Sequence, residues 1–199
     1  MNELKTRPML KFKENGFEPT LPQLWETVRP LDRVIDVDYY IPGCPPSSKL
    51  LKEAVVALLT GNLPPKGTVL APDVALCDEC SRKDTKPTDL AFDEFKRPHL
   101  HKVDPEKCIL SQGFICMGPA TRSGCGGLCI EGNMPCTGCY GPTSRVKDQG
   151  AKILSSISSN ISGKTEKDID KILAGIPDPV GTFYRYSLAG SLLGRKVNI

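Results

Sequence analysis

The sequence predicts a small α/β unit of strand, turn and helix, followed by a loop-rich, mainly α body that is organised by thiol-bound inorganic groups. Three observations carry this prediction. RVIDVDYYIPG (33–43) and SSKLLKEAVVALLTG (47–61) read as one strand and one helix. Residues 66–147 show almost no hydrophobic periodicity. That same stretch holds eight of the nine cysteines, with many of the 18 glycines and 18 prolines packed around them.

Taken in order, residues 1–30 are irregular, with Pro8, Pro19, Pro22 and Pro30 as breakers. The strand is rich in β-branched and aromatic residues and ends at Pro42–Gly43. Asp36 and Asp38 alternate there with Val34, Ile35 and Val37, which is strand patterning rather than a pair of catalytic carboxylates. Ser47 or Ser48 caps the helix, Leu50, Leu51, Ala54, Val55, Leu58 and Leu59 recur at helical spacing, and Gly61 stops it. With no histidine beside them, the two serines read as caps and not as nucleophiles. Cys44 therefore falls on a turn at the carboxyl end of a strand and near a helix N-terminus, a place where α/β sheets build sites and where a thiolate is favoured.

Beyond residue 66 only short helical turns are expected, for example over 105–112. DQGAKILSSISSNISG (148–163) then reads as an amphipathic helix with Ile153, Leu154, Ile157 and Ile161 on one face. TEKDIDKILAG (165–175) reads as a second, with Thr165 and Asp168 as a capping box. The tail, 176–199, carries aromatics and leucine pairs suited to burial against the body or a partner. Three units follow: 1–65, 66–147 and 148–199.

Bulk properties narrow the function. A net charge of +3 with scattered Lys and Arg does not suggest nucleic acid. No stretch approaches the ~20 apolar residues of a membrane span. The N-terminus, MNELKTRPMLKFKENGF, lacks the apolar region of a secretory signal, so a cytoplasmic, reducing setting is expected. There disulfides are rare, and nine is an odd number, so metal binding is the favoured use of the thiols.

The downstream thiols are Cys77-x2-Cys80, Cys108, Cys116, Cys125, Cys129 and Cys136-x2-Cys139, two sets of four. Zinc and iron–sulfur clusters both use four thiolates. Structural zinc sites favour two compact pairs, whereas Cys108, Cys116, Cys125 and Cys129 arrive singly, at spacings of eight, nine and four. A cubane accepts ligands arriving separately. Glycines such as Gly118, Gly124 and Gly138 let backbone N–H groups approach its sulfides. The chemistry favours iron–sulfur over zinc, with zinc kept as the alternative. His99 and His101 sit between charges in an extended segment and read as surface or partner-facing. Arg97 and Arg122 are contact candidates for a cluster or partner, with solvated charge the simpler reading.

The order IPGCPP, LCDECSRK, KCILSQGFICMGPATRSGCGGLCIEGNMPCTGCYGP and DQGAK resembles the electron-transferring small subunit of nickel–iron hydrogenases, nearest the F420-non-reducing type of methanogens and related archaea. The resemblance runs from about residue 33 onward. It implies that 1–65 is the C-terminal part of a flavodoxin-like domain and 66–147 a two-cluster iron–sulfur domain. It implies that Cys44 is one ligand of a proximal 4Fe–4S cluster, and that Cys77, Cys80, Cys108 and Cys116 hold a distal one. Cys125, Cys136 and Cys139 match the medial cluster, where Cys129 supplies a fourth ligand and makes 4Fe–4S the expected form. The other proximal ligands of the family lie upstream, and no cysteine precedes Cys44 here, so a third cluster needs thiols from elsewhere. The implied partners are a nickel–iron large subunit and an electron-accepting iron–sulfur or flavin subunit, a heterodisulfide reductase link among the options. No residue reads as an acid, base or nucleophile. The competing functions are a zinc-stabilised interaction module and an iron–sulfur relay in another oxidoreductase complex.

Overall fold

The computed structural model describes residue 13, residues 15–17 and residues 28–193. Pro8, Pro19 and Pro22 of the irregular N-terminal segment, and residues 194–199 of the tail, lie outside the described residues.

The first element is a βαβ unit. Strand β1 (Tyr39–Tyr40) is followed by helix α1 (Ser48–Thr60) and strand β2 (Thr68–Val69), and the strands pair in parallel with Tyr39 opposite Thr68 and Tyr40 opposite Val69. Parallel pairing requires a crossover, and α1 supplies it. The Ser47 hydroxyl accepts from the Leu50 N–H at 3.3 Å, and Gly61 ends the helix in the left-handed region with its N–H on the Leu58 carbonyl. The expected strand over 33–43 is much shorter than the alternation suggests. Leu31–Arg33 form a 3₁₀ turn, Val34 and Ile35 stay exposed, and Asp38 pairs with Lys66. Alternation makes a strand only where a neighbour offers a ladder, and β2 offers two residues.

Helix α1 is also barely buried. Leu50 and Ala54 pack inward, while Leu51, Val55, Val56, Leu58 and Leu59 are exposed, Leu59 by 83%. Its apolar face is wider than the surface that receives it.

The second body contains short helices α2 (Leu76–Glu79) and α3 (Leu128–Glu131), the longer α4 (Gln149–Ser158) and α5 (Glu166–Leu173), and the short α6 (Pro179–Phe183). Asp148 caps α4 through the Ala151 N–H at 2.8 Å, and Thr165 with Asp168 forms the expected capping box on α5. The expected helical turn near 105–112 is a 3₁₀ turn, Leu110–Gln112.

One core joins these pieces. Phe92, Phe95, Phe114, Ile109, Leu110 and Val103 pack with Ile153 and Ile157 of α4, Ile172 of α5 and Phe183 of α6. Ile153 is fully buried, whereas Leu154 and Ile161 are only partly so. The extended segment 92–96 is stitched in by backbone bonds, Phe92 N–H to Asn160 at 2.8 Å and Lys96 N–H to Gly113 at 2.8 Å. The tail does bury its first aromatics, Phe183 and Tyr184, against α4, where Gly150 leaves room for the Tyr184 ring. Among the described residues no helix is long and apolar enough to cross a membrane.

Candidate metal centre

The eight downstream thiols line two cavities. Cys77, Cys80, Cys108 and Cys116 surround a small apolar cavity of about 30 Å³. Cys125, Cys129, Cys136 and Cys139 line a larger one of about 730 Å³. Leu76 and Ile130 belong to both linings and form the wall between them.

The first cavity is built on α2. The Leu76 N–H donates to the Thr121 carbonyl at 2.7 Å, and the Asp78 carboxylate accepts the Ala75 N–H at 3.1 Å, so the one-turn helix is held at both sides. Cys77 projects from it, and Cys80 follows at its C-cap. The Thr85 hydroxyl accepts the Cys108 N–H at 2.7 Å, which fixes the third thiol. Cys116 is buried and completes the set. Gly118 makes this approach possible: a Cβ there would stand 3.3 Å from the Cys77 sulfur and 3.6 Å from that of Cys116.

Thiols in so dry a place resist ionisation. Burial, reinforced by the neighbouring Cys116, pushes Cys77 up to about 12, with Lys86 pulling the other way. Burial also raises Cys116, opposed by N–H groups of Gly118 and Cys136 aimed at its sulfur. Cys77 and Cys116 gain as thiolates from a positive centre beside them, as a metal ion would provide.

The second cavity is a loop construction. Glu79 of α2 accepts N–H groups from Gly124 at 2.9 Å and Gly126 at 3.0 Å, and its carboxylate lies 3.9 Å from the Cys125 sulfur. The N–H groups of Gly127 and Leu128 also face Cys125, whose thiol burial pushes up. Burial, then the charge of Cys116, raises Cys136, while the Gly138 N–H and the Thr121 hydroxyl oppose the rise. Gly138 has φ +94°, a left-handed conformation costly to other residues, and a Cβ there would stand 3.1 Å from the Gln149 amide. Gln149 is itself buried and donates to the Gly138 carbonyl and the Thr121 hydroxyl, both at 3.1 Å.

The two thiol sets touch through their backbones. Met117 N–H donates to the Cys136 carbonyl at 2.9 Å, while the Cys136 N–H faces the Cys116 sulfur. Cys44 lies at the second cavity too, exposed, with its N–H directed at Cys139. Five thiols thus share that lining. A single zinc ion draws its thiolates to ~2.3 Å, whereas a cubane takes them from the outside of a wider body. Among the described residues no three His, Cys, Asp or Glu side chains converge on one metal position.

His99 and His101 are exposed and line neither cavity. Ser47 caps α1, and its N–H donates to the Tyr140 hydroxyl at 2.7 Å, tying the turn after Cys44 to the second body. Arg122 corrects the expectation of a solvated charge. It is buried, pairs with Asp73 at 2.9 Å and donates to the carbonyls of Pro72 and Pro142. Asp73 is held below the usual carboxylate range, first by the Ser144 hydroxyl and N–H and then by Arg122. Glu79, Arg82, Thr121 and Gln149 carry site geometry that sequence reasoning does not assign. Only Glu79 has a local signal, lying between the paired cysteines of LCDEC.

No family model matches the chain. Curated relatives do. It is 43% identical over 189 residues to an F420-non-reducing hydrogenase subunit of Methanothermobacter thermautotrophicus, an alignment covering 92% of this chain and 59% of that protein. It is 40% identical over 187 residues to the F420-non-reducing hydrogenase iron-sulfur subunit of Archaeoglobus profundus, covering 93% of this chain and 58% of that protein. With the corresponding F420-non-reducing hydrogenase subunit of Methanothermus fervidus it shares 45% identity over 125 residues, 61% of this chain and 97% of that sequence. The chain thus spans about six tenths of the length of the first two relatives. On these similarities, the chain belongs to the family of F420-non-reducing hydrogenase G subunits.

Proposed function

We propose that the chain is the electron-transferring small subunit of a nickel–iron hydrogenase of the F420-non-reducing type. Cys77, Cys80, Cys108 and Cys116 hold one 4Fe–4S cluster, Cys125, Cys129, Cys136 and Cys139 a second, and Cys44 contributes to a third when another set of thiols completes it. The observation that supports this best is the pair of adjacent four-thiol cavities with Leu76 and Ile130 as their common wall. Bound clusters supply one-electron carriers. The chain supplies the rest. Leu76 and Ile130 keep the two sites close and dry. The N–H groups of Gly118, Gly127, Leu128 and Gly138 stabilise negative sulfur. Gly118 clears space for it.

In this reading electrons pass from a separate hydrogen-splitting large subunit to an iron–sulfur or flavin acceptor subunit in the cytoplasm. Residues 28–65 belong to a flavodoxin-like domain. The parallel βαβ unit and the exposed apolar face of α1 support that assignment, since the face wants a cover. The hydrogenase and iron-sulfur names of relatives at about 40% identity support the chemistry.

Iron and acid-labile sulfide, measured on anaerobically purified chain, are expected at about eight each per chain, with a broad brown absorbance. Adding the large subunit should give hydrogen-dependent reduction of that absorbance. One or two zinc ions in a colourless protein would support the interaction-module reading instead. Cys44→Ala should keep all the iron of the isolated chain; loss of about four irons would make Cys44 a ligand of the second cavity.

A further inference from the structure

We propose that Arg82 is the internal counter-cation of the first thiol cavity and raises the reduction potential of the cluster held there. The inference rests on the iron–sulfur reading above. Arg82 is 7% exposed and forms part of the wall that Cys77, Cys80, Cys108 and Cys116 complete. Its guanidinium makes three hydrogen bonds: to the Asp104 carbonyl at 3.3 Å, the Ile130 carbonyl at 2.9 Å and the Asn133 side-chain oxygen at 3.0 Å. All three acceptors are neutral. Asn133 is itself held, donating to the Val103 carbonyl at 3.0 Å.

A buried cation normally has a carboxylate partner, because desolvating it alone is costly. Arg82 has none within ion-pair distance among the described residues. The Asp104 carboxylate, which feels its charge, is bound instead to Lys107 at 3.4 Å and to the Glu106 N–H at 3.0 Å. The four sulfurs share the cavity wall with Arg82. The backbone N–H of Arg82 donates to the Cys80 sulfur at 3.4 Å. A cubane with four thiolates is negative and gains one more charge on reduction, so a fixed cation in low dielectric favours the reduced form. Lys86 lines the same cavity and acts on Cys77, but it is exposed, so solvent screens it more than the buried Arg82. Arg82 lines the first cavity and not the second, so the second cavity feels it less.

The test is a redox titration followed by electron paramagnetic resonance, with iron counted in parallel, on the full chain as wild type, Arg82→Gln, Arg82→Lys, Lys86→Gln and Asn133→Ala. The signal of the first cavity is the one absent from Cys108→Ser. Arg82→Gln should lower its reduced-to-oxidised ratio at fixed potential about tenfold, about 59 mV more negative for one electron, with the other signal moved less than half as far. Arg82→Lys and Asn133→Ala, which keep the charge, should stay within about threefold of wild type, and Lys86→Gln should move less than Arg82→Gln. If Arg82→Gln instead loses the iron of the first cavity, retention in Arg82→Lys supports the proposal and equal loss in both overturns it. An unchanged midpoint in fully loaded Arg82→Gln overturns it as well. Wild-type chain without iron would overturn the cluster reading of the cavities, and this inference with it.

Discussion

Iron-free chain should be unusually sensitive to alkali, and Cys77 shows why. Its thiol ionises at about 12 in the fold against 9.0 for the free group, because burial and the neighbouring sulfur of Cys116 disfavour the thiolate. The folded form therefore keeps its proton where the unfolded chain has lost it. Stability linked to this group is full below pH 9 and is lost as pH rises towards 12. At one pH value above the free group's midpoint the loss is about 1.4 kcal/mol, and across the whole gap about 4 kcal/mol. Urea unfolding of anaerobic, iron-free protein at pH 8 and pH 10 measures it, with the ultraviolet absorbance of thiolate as a second readout. Cys77→Ala should remove its share of the slope. Equal slopes in wild type and Cys77→Ala would refute the reasoning.

Gly118→Ala places a methyl group 3.3 Å from the Cys77 sulfur and should selectively reduce iron retained by the first cavity, read by iron content per chain. Cys129→Ser should lower iron to about seven per chain and convert one 4Fe–4S signal to that of a 3Fe–4S cluster, provided that Cys129 is the fourth ligand of the second cavity. Ile153→Ala, at a fully buried position in the core shared with Phe183, should cost about 2–5 kcal/mol in chemical unfolding. Leu59→Ser, at an 83% exposed position, should cost less than about 0.5 kcal/mol in the isolated chain.

The ends of α1 and the start of α5 are legible in the sequence because their signals are local. Ser47, Gly61, Thr165 and Asp168 act on backbone groups three or four residues away, and they do so in the structure as the sequence suggests. The strand over 33–43 is shorter than its pattern for the opposite reason: Val34 and Ile35 carry the right residue types, but a ladder is a property of two segments. Arg122 escapes a local reading similarly. Nothing near it in the chain announces Asp73, almost fifty residues upstream, as its partner.

Spacing alone keeps Cys77 with Cys80 and Cys136 with Cys139, since a Cys-x2-Cys pair holds both sulfurs on one turn wherever the chain goes, and the resemblance implies which single thiols join each pair. What spacing could not supply is contact across the chain. Only folding puts Leu76 and Ile130 into one wall, sets Glu79 on the loop of Cys125, brings Cys44 beside Cys139 and buries Arg82 among neutral carbonyls. Residue type and local spacing determine which atoms can bind a metal. The dielectric and the neighbouring charges that tune those atoms come from segments distant in the chain, and packing alone decides which of them meet.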